Sequence, residues 1–354
     1  MSGPTARRDA PVPSALLEQL RADTGRAESS GTLTPEQLAI IYDRRWFKLF
    51  VPSNLGGLEL PLPEAVRLEE ELARIDGSLG WTVTLCAGAN LFVGYLDPSH
   101  ATPVFSDPRV CLGGSGQATG KAIAEGGGYR VWGRWRYATG TPHLTHFTAN
   151  CVVQEDGKDL LDATGKPLVR SFLFPRSDVQ ITNDWNTFGL KATASHSFAV
   201  DGLWVDARQA FSITPGAVTW GHSIYRYPFL PFAEATLAVN TLGMARHFLE
   251  CAAALGKPMW QALVENARSG LAGVRVSFYE ALDTSWRELL RVGELPPEVQ
   301  EAVSESSKRL VKVARDCVVA VYPHLGLAGA DATSEINRVW RDIFTASQHS
   351  LLRP

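Results

Sequence analysis

The order in which helical and strand-like sequence alternates most restricts what this chain can fold into. Up to about residue 108, apolar residues recur with the three- or four-residue spacing of an amphipathic helix, as at Leu68, Leu72 and Ile75. From about 109 to 215, short runs rich in Val, Phe, Trp and Thr are separated by clusters of Gly, Asp and Pro, which is typical of strands joined by turns. Helical periodicity then returns and continues to the C-terminus. The sequence therefore predicts a sheet between two helical units.

Local signals refine this pattern. The segment SLGWTVTLCAGANLFVGYL is apolar on every side, which predicts a helix buried in the middle of the protein. The run Gly126–Gly128 predicts a hairpin turn. One long helix is expected over PFAEATLAVNTLGMARHFLECAAAL, ended by Gly256. The strand spacing favours an antiparallel barrel or sandwich, and four C-terminal helices with short breaks favour an antiparallel bundle.

Composition excludes several classes of protein. The 354 residues are 45% hydrophobic, which is enough for a large core and for two or three structural units. A net charge of −3 provides no electrostatic footprint for nucleic acid. No apolar run approaches the roughly 20 residues that span a bilayer, and the N-terminus lacks the apolar stretch of a secretory signal. We therefore expect a cytoplasmic protein with neither a nucleic-acid nor a membrane partner.

The cysteines and histidines argue against a bound metal. The five cysteines are far apart in apolar stretches, which predicts free buried thiols in a reducing compartment. Neither a CxxC pair nor an HExxH run is present, so no structural metal is expected. The sequence also lacks a Walker A loop and a GxGxxG run, the main signatures of P-loop and Rossmann chemistry.

Four segments together resemble the acyl-CoA dehydrogenase superfamily. The segment FVPSNLGGLELPLPEAVRLEEELARIDGSLGW is similar to its N-terminal signature, and GLKATASHSFAVDGLWV to its second flavin-contacting stretch. The segment GGSGQATGKAIAEGGGYRVWGRWRYATGTPHLTHF resembles the start of the β-domain in the flavin-dependent monooxygenase branch. The segment RVWRDIFTASQHSLL resembles the closing helix of that branch. The resemblance extends over essentially the whole chain from about residue 15.

This resemblance implies an α+β protein with the acyl-CoA dehydrogenase-like fold. The implied divisions are a disordered tail over 1–12, an N-terminal helical domain over 13–108, a central antiparallel β-barrel over 109–215 and a C-terminal four-helix bundle over 216–354. Members of the superfamily commonly form homotetramers through the C-terminal bundle. Because the C-terminal helices here are long and apolar, we expect a homo-oligomer, either a tetramer or a dimer.

The resemblance also implies a flavin ring held between the β-domain and the helical bundle. It assigns the aromatic wall of the ring to Tyr137 and a hydroxyl near the ring to Thr139, with a second strand flanking the ring or the phosphate. The implied cofactor-binding residues are Tyr137, Thr139, Gly140, Lys191, Thr193 and Ser195. By composition alone, we would favour an ordinary β-turn at Thr139–Thr141 and an ordinary polar strand at Thr193–Ser195 over a flavin site.

The residues near the C-terminus separate two flavin reactions. A dehydrogenase needs a carboxylate base, and many family members carry it as a Glu that follows Arg-Asp in the last helix, where this chain has Ser350. A monooxygenase needs a group that activates its substrate, which a histidine suits near neutral pH. His349 stands where the monooxygenase branch carries such a histidine. The implied catalytic residues are His349, Thr139 and His143, the last of which matches a histidine that follows Ser-Gly in the branch.

The last segment can also be interpreted as one polar helix face. If it is a single helix, Arg338, Asp342, Thr345 and His349 share a face that can point into a wet active site. The alternative is a solvent-exposed face with an Arg338–Asp342 ion pair.

Three functions remain open, and we favour the first. It is the oxygenase component of a two-component flavin monooxygenase that acts on a small aromatic or heterocyclic substrate. The second is an FAD-dependent acyl-CoA dehydrogenase-type enzyme whose base is Glu234 or Glu250. The third is a degenerate member that binds a ligand or a partner without catalysis, because Leu85–Ala87 lacks a histidine that some members carry on the buried helix.

The mode of cofactor binding and the partner protein are inferred from a motif that the sequence lacks. The Arg-x-x-Phe-Gly run that helps dehydrogenases of the family to hold FAD is absent from LGKPMWQAL. We therefore expect loose binding of reduced FMN or FAD supplied by a separate flavin reductase, whereas a dehydrogenase would hold FAD. Aromatic side chains that can line a substrate pocket are Trp81, Phe92, Tyr95, Trp220, Tyr225, Tyr227 and Phe229.

Overall fold

Six α-helices precede the sheet in the described part of the chain. The structure, a computed structural model, describes residues 12–256 and 258–353. The N-terminal helices are α1 (Ser14–Ala22), α2 (Thr24–Ser30), α3 (Pro35–Asp43), α4 (Leu62–Ile75), α5 (Gly77–Asn90) and α6 (Pro98–Phe105). The predicted disordered tail, 1–12, lies outside the described residues except for Val12, whose side chain is buried.

Helix α5 lies in the middle of the protein, as its uniformly apolar sequence predicted. Asp76 begins it by accepting a hydrogen bond from the backbone N–H of Leu79 at 2.8 Å, which satisfies one of the free donors of the first turn. Twelve of its fourteen residues are buried. The helix packs against α4 and against the sheet, so it can form one wall of a cavity next to the sheet.

The strand-rich region forms one sheet of eight strands. They are β1 (Leu112–Glu125), β2 (Gly128–Ala138), β3 (His146–Glu155), β4 (Lys158–Asp159), β5 (Val169–Pro175), β6 (Gln180–Thr182), β7 (His196–Asp206) and β8 (Ala210–Phe211). The order is β6-β7-β2-β1-β3-β5-β8, with β4 paired to β3. Gly126 and Gly127 form the predicted hairpin turn, with φ of 58° and 80°.

The predicted antiparallel barrel is wrong in two respects. β1 and β3 are parallel, with Leu112 opposite His146, because β2 folds back along one edge of β1 and β3 then returns along the other edge in the direction of β1. β6 and β8 are the two ends of the strand order and do not pair with each other. Among the described residues, the sheet is therefore mixed and open, with its other pairs antiparallel.

Five helices follow the sheet. They are α7 (Phe229–Ala254), α8 (Pro258–Val292), α9 (Pro297–Val321), α10 (Leu327–Ala330) and α11 (Glu335–Ala346). α7 is the central one, because it packs on α4, α8, α9 and α11 and is buried around most of its surface. It ends at Ala254, just before Gly256, as predicted. No helix in the described part of the chain has both the length and the apolar character that crossing a membrane requires.

A buried carboxylate joins α4 to the C-terminal helices. Glu70 is fully buried, and its carboxylate accepts hydrogen bonds from Arg246 on α7 and from Arg275 and Tyr279 on α8. The Arg275 Nε to Glu70 Oε1 distance is 2.8 Å. Two cations and a phenol offset the cost of burying one negative charge, so the cluster holds three helices in register.

We predict that Glu70→Gln lowers the free energy of unfolding by about 2–3 kcal/mol, because two arginines lose their buried counter-charge while remaining partly solvated. Urea unfolding of the flavin-free protein measures this. The matched control is Glu71→Gln on the same helix, where a part-exposed carboxylate pairs with Arg74 and Arg246, and about 1 kcal/mol or less is expected. Equal losses in both variants would show that Glu70 does not hold the helices together.

Candidate active site

A cavity lies between the sheet and the two apolar helices. Its volume is about 210 Å³, and α5, α7, the start of β1, β3 and the C-terminal turn form its walls. Side chains of Phe92, Phe229 and Phe232 form the apolar side, with ring centroids of Phe92 and Phe229 5.7 Å apart. The polar side chains in its lining are those of Thr84, Ser115, Thr139, Thr148, Asn150, Ser171, Thr236 and His349.

Two of the three implied catalytic residues, Thr139 and His349, meet at this cavity. Of the aromatic side chains singled out from the sequence, Phe92 and Phe229 line it directly. Trp81 contacts the ring of His349 edge-on, with centroids 5.9 Å apart. Tyr95, Tyr225 and Tyr227 are buried in the core, outside the lining, and Trp220 also lies outside it.

Thr139 belongs to a chain of buried hydroxyl groups that joins the two predicted flavin stretches. Its Oγ1 lies 3.0 Å from Ser195 Oγ, which lies 2.8 Å from Thr193 Oγ1. Thr193 in turn donates to the carbonyl of Leu190 at 2.9 Å. The backbone N–H of Gly140 donates to the carbonyl of Thr193 at 2.8 Å. Stretches 137–140 and 191–195 are therefore adjacent, as the resemblance implied.

The direction of this chain follows from counting protons. Each hydroxyl group has one proton to donate. Thr193 commits its proton to Leu190, so Ser195 must donate to Thr193, and Thr139 must then donate to Ser195. Thr139 consequently has no proton left for the cavity. Toward any ligand there, its oxygen is a hydrogen-bond acceptor.

The backbone of both stretches is strained. Three of the six non-glycine residues with positive φ in the described part of the chain lie here, namely Tyr137 at 70°, Leu190 at 51° and Ala194 at 44°. Such conformations cost about 1–3 kcal/mol each and persist where surrounding contacts fix them. Gly140, at 78°, lies against His143, and a Cβ on it would be 2.7 Å from His143 Nε2. The segment is thus held in one shape by its neighbours.

Tyr137 and Lys191 do not line the cavity. The Tyr137 side chain is 50% exposed and packs edge-on against Trp185, with centroids 6.0 Å apart. Lys191 lies 3.9 Å from Glu28 and faces a second, more polar cavity of about 680 Å³ that Arg338 also lines. Their assignment as flavin contacts stays a prediction. Ser195 and Thr193 hold the Thr139 hydroxyl group through the hydrogen-bonded chain, and Gly140 donates its backbone N–H to Thr193.

His349 lies beyond the last helix. α11 ends at Ala346, so the predicted stripe of Arg338, Asp342, Thr345 and His349 is not one helix face, because the chain turns before His349. Arg338 lies 3.9 Å from Asp76, and the proposed Arg338–Asp342 pair does not form. Burial lowers the pKa of His349, so its imidazole is neutral near pH 7. Its Nδ1 accepts from the N–H of Leu351 at 3.3 Å, which leaves the proton on Nε2.

His143 is placed behind the Thr139 loop. Its ring stacks on Phe47, with centroids 5.5 Å apart, and does not line the cavity. Ligand atoms of His143, Cys86 and Cys111 lie within 4.8 Å of one another, a group that linear spacing could not reveal because the three residues are far apart in sequence. All five cysteines are free thiols, as predicted.

The Arg-Asp pair of the closing helix anchors the second flavin stretch. Asp342 Oδ1 accepts from the N–H of Leu190 at 2.5 Å, and Arg341 donates to the carbonyl of Phe188 at 2.6 Å. Burial, together with the nearby carboxylate of Asp76, raises the pKa of Asp342 to about 8. The pair therefore acts through the backbone of the loop that holds Thr193 and Ser195.

Neither carboxylate considered as a dehydrogenase base reaches the cavity. Glu234 is buried on the side of α7 that faces α9, with Lys308 at 3.3 Å. Glu250 lies near the end of α7 and pairs with Arg74 at 3.0 Å. Among the described residues that line the cavity, none carries a carboxylate.

Several lining residues were missed from the sequence. Gly113–Gly116 form a flat stretch of β1 in the cavity wall, and the register of β1 against β3 shifts between Ser115 and Gly120. The glycine-rich start of a predicted strand was the signal that could have found them. Thr84 and Thr236 lie on helices with apolar sequence, where nothing marks them apart from core threonines.

The sequence is similar to an acyl-CoA dehydrogenase family and to known monooxygenases. Residues 235–354 match the family described as acyl-CoA dehydrogenase, C-terminal domain. The chain is 25% identical to indole-3-acetate monooxygenase of Pseudomonas putida, over 98% of this chain and 92% of that protein. It is 23% identical to the flavin-dependent monooxygenase, oxygenase subunit HsaA, of Mycobacterium tuberculosis, over 96% of this chain and 90% of that protein.

Solved structures show the same fold. The crystal structure of the HsaA monooxygenase from M. tuberculosis superposes with a TM-score of 0.87 at 22% identity, covering 96% of this chain and 93% of that one. TdsC from Paenibacillus, solved with FMN and indole, superposes with a TM-score of 0.77 at 21% identity, covering 96% and 92%. The C-terminal part of the chain thus matches an acyl-CoA dehydrogenase family, and the chain as a whole is similar to flavin-dependent monooxygenases, in agreement with the resemblance found in the sequence.

We predict that stability depends on pH through Asp342. Folding raises its pKa from an ordinary value near 4 to about 8, so the folded state binds the proton more tightly and loses stability as the pH rises between these values. Asp342→Asn keeps an oxygen for the Leu190 N–H and removes the titration. Relative to wild type, the variant should gain stability steadily from about pH 4 to about pH 8 in urea unfolding. Parallel profiles would contradict the assignment.

Proposed function

We propose that the protein is the oxygenase component of a two-component flavin monooxygenase that hydroxylates a small, uncharged aromatic or heterocyclic substrate. The names of its relatives support this class, since they are monooxygenases and an oxygenase subunit. The observation that carries the proposal is the direction of the Thr139 hydroxyl chain, which discriminates between the two redox forms of a flavin.

A flavin ring fits the polar side of the cavity. N5 of the ring carries a proton only when the flavin is reduced, and Thr139 can only accept at the cavity, so it favours the reduced form. Gly113, Gly114 and Gly116 bring the backbone of β1 into the cavity wall, and the register shift that follows frees backbone groups for the pyrimidine edge. Bound there, a reduced flavin would supply the two electrons with which dioxygen gives one oxygen atom to the substrate and the other to water.

The lining of the cavity indicates the kind of substrate. Aromatic walls from Phe92, Phe229 and Phe232 suit a planar ring, and no charged side chain is among the described residues that line the cavity. At about 210 Å³, the cavity is smaller than the roughly 300–1,000 Å³ of typical small-molecule sites, so a flavin ring and a substrate together would have to extend beyond it. The aromatic walls, rather than the volume, therefore indicate the class of substrate.

His349 is the proposed acid–base group. Its neutral imidazole has one free nitrogen that carries a proton, and it lines the same cavity as Phe92, Phe229 and Phe232. A neutral histidine can donate that proton to a substrate oxygen or hold a substrate hydroxyl in place. Trp81 fixes one side of the ring, which limits the orientations it can take.

The second candidate, an acyl-CoA dehydrogenase-type enzyme with FAD, lacks the base it requires, since Ser350 follows His349 and Glu234 and Glu250 lie elsewhere. A non-catalytic role would not explain why this loop is strained and why its hydroxyl groups are linked by hydrogen bonds. The choice between FMN and FAD, and loose retention of the flavin, are further parts of the proposal.

The remaining parts of the proposal concern organisation. A relative that is an oxygenase subunit supports a separate flavin reductase as the partner. We further propose that the divisions 13–108, 109–215 and 216–354 are the domains and that α7, α8, α9 and α11 form the four-helix bundle. A cytoplasmic location and a homotetramer or homodimer complete the proposal.

The proposed function is tested by anaerobic titration of the flavin-free protein with FMN and FAD, each oxidised and reduced. We expect tighter binding of a reduced flavin, followed by hydroxylation of a bicyclic aromatic compound when oxygen is admitted. Tight binding of oxidised FAD that bleaches with an acyl thioester would support the dehydrogenase instead. Failure to bind any flavin would contradict both enzymes.

The hydroxyl chain makes a separate prediction. Ser195→Ala frees the proton of Thr139 to point into the cavity, so the preference for reduced over oxidised flavin should fall about three- to tenfold, the worth of one hydrogen bond. Thr139→Ser should retain it. The matched control is Ser171→Ala, another cavity hydroxyl that donates to Asn150 at 2.7 Å and does not touch the chain. An unchanged preference in Ser195→Ala would refute the proton count.

A further inference from the structure

Two buried cysteines and a histidine meet behind the loop that carries Thr139. Cys86 lies on α5, Cys111 lies just before β1, and His143 lies in the short turn after β2. Their ligand atoms, two Sγ atoms and one ring nitrogen, lie within 4.8 Å of one another, and both thiols are fully buried. The sequence gave no reason to expect a metal, because it lacks closely spaced ligands. The fold nevertheless brings together three ligand residues that are far apart in the chain.

His143 lacks the hydrogen bonds that a buried imidazole requires. Both of its ring nitrogens are buried, and neither has a hydrogen-bond partner among the described residues. A neutral imidazole has one N–H to donate and one lone pair to fill, so leaving both without a partner is costly. The ring is held in place by stacking on Phe47, with the two ring planes 15° apart. A bound ion would give one of these nitrogens the partner that it lacks.

A glycine allows the histidine and one cysteine to come close to the loop. A Cβ built on Gly140 would lie 2.7 Å from His143 Nε2 and 3.1 Å from Cys86 Sγ. The ring nitrogen and the thiol therefore face the same side of Gly140, where a side chain would collide with both. Cys86 Sγ also lies 3.8 Å from the carbonyl oxygen of Thr139, which is a further ligand atom on this side of the loop.

One buried amide connects the three segments that carry the ligands. Asn90 lies one turn after Cys86 on α5, and its Oδ1 accepts a hydrogen bond at 2.9 Å from the N–H of the residue after Cys111. Its Nδ2 donates to the carbonyl of Phe47 at 2.7 Å, and the ring of Phe47 stacks on His143. In metal sites, contacts behind the ligands fix their orientation in the same way. The three side chains are thus held near one another by the fold itself.

The ligand types and their burial indicate which ion would bind. Thiolate and imidazole are ligands that favour Zn²⁺, whereas Mg²⁺ and Ca²⁺ prefer carboxylate and carbonyl oxygens. Two thiolates balance the two positive charges of Zn²⁺, and a neutral imidazole adds no charge. The complex as a whole is therefore uncharged, so it can be buried without a further charged partner.

The distances suit a tetrahedral ion after a small contraction. In a tetrahedral zinc site, with bonds of about 2.3 Å to sulfur and about 2.0–2.2 Å to nitrogen or oxygen, neighbouring ligand atoms lie about 3.5–3.8 Å apart. The distance of 3.8 Å from Cys86 Sγ to the Thr139 oxygen already agrees with this value. The three side-chain atoms, within 4.8 Å of one another, reach it if each pair closes by about 1 Å or less.

We propose that one structural Zn²⁺ ion binds to the side chains of Cys86, Cys111 and His143. The carbonyl oxygen of Thr139 is the fourth ligand. Each thiol releases its proton to solvent when the ion binds, and no electron is transferred. The ion fastens the loop from Thr139 to His143 onto α5 and the start of β1. The site does not include the lining of the cavity, so this proposal does not depend on the proposed flavin chemistry.

The test uses Co²⁺ as a coloured substitute for Zn²⁺ on the purified full-length protein, kept reduced. Wild type should bind one Co²⁺ ion with the absorption of a tetrahedral cobalt–thiolate site, and one equivalent of Zn²⁺ should abolish that absorption. Cys86→Ala and Cys111→Ala should each weaken binding by more than the roughly 10–100-fold that loss of a contact behind the ligands costs. Absence of the absorption in wild type, or its survival in both variants, would overturn the proposal.

The matched control is Cys151→Ala. It removes another fully buried thiol, which belongs to β3 and is outside the group, so ion binding should be unchanged. A loss of binding in this variant equal to that in Cys86→Ala would overturn the proposal, because it would show that any buried thiol matters equally.

A second group of possible ligands gives a distinguishing outcome. His247, Cys251 and Glu335 also have ligand atoms within 4.8 Å of one another. They offer a single thiol, and the half-exposed carboxylate of Glu335 is already paired with His247 Nε2 at 3.0 Å. Cobalt–thiolate absorption that disappears in Cys251→Ala but persists in Cys86→Ala would place the ion there and would overturn the proposal.

A further measurement needs no variant, so it does not depend on whether the cysteine variants fold. X-ray absorption at the zinc edge of the zinc-loaded wild-type protein should show two sulfur ligands at about 2.3 Å and two nitrogen or oxygen ligands at about 2.0–2.2 Å. A ligand shell with one sulfur atom, or with none, would overturn the proposal.

Discussion

The site depends on one constraint, which is that its polar atoms are buried and must find hydrogen-bond partners inside the protein. α5 and α7 are apolar almost all the way round and exclude water from the space next to the sheet. The hydroxyl protons of Thr139, Ser195 and Thr193 are therefore each committed to a definite acceptor. This chain from Thr139 to Leu190 fixes an acceptor on one wall of the cavity.

The rest of the architecture supports this arrangement. Asp342 and Arg341 bind the backbone of the loop that holds Thr193, so the closing helix sets the position of the hydroxyl chain. The Glu70 cluster holds α4 against α7 and α8, and α4 in turn packs against α5, which forms a wall of the cavity. The same scaffold that suits a dehydrogenase can thus favour oxygen transfer, because one fold hosts several functions and its side chains decide among them.

The sequence predicted the features that depend on local physics. Periodicity identified the buried α5, glycines identified the β1–β2 hairpin, and the resemblance identified Thr139 and His349, which meet at the cavity. It missed the parallel β1–β3 pair, because strand direction is set by tertiary pairing. It extended the last helix to His349, although the chain turns after Ala346.

The central claim is that the protein inserts one atom of dioxygen into an aromatic ring that is bound in this cavity. The most direct measurement is mass spectrometry of the product formed from reduced flavin, isotopically heavy dioxygen and a bicyclic aromatic compound. The account predicts a hydroxylated product that contains one heavy oxygen atom. A product that contains oxygen from water, or that has only lost two hydrogen atoms, would contradict it.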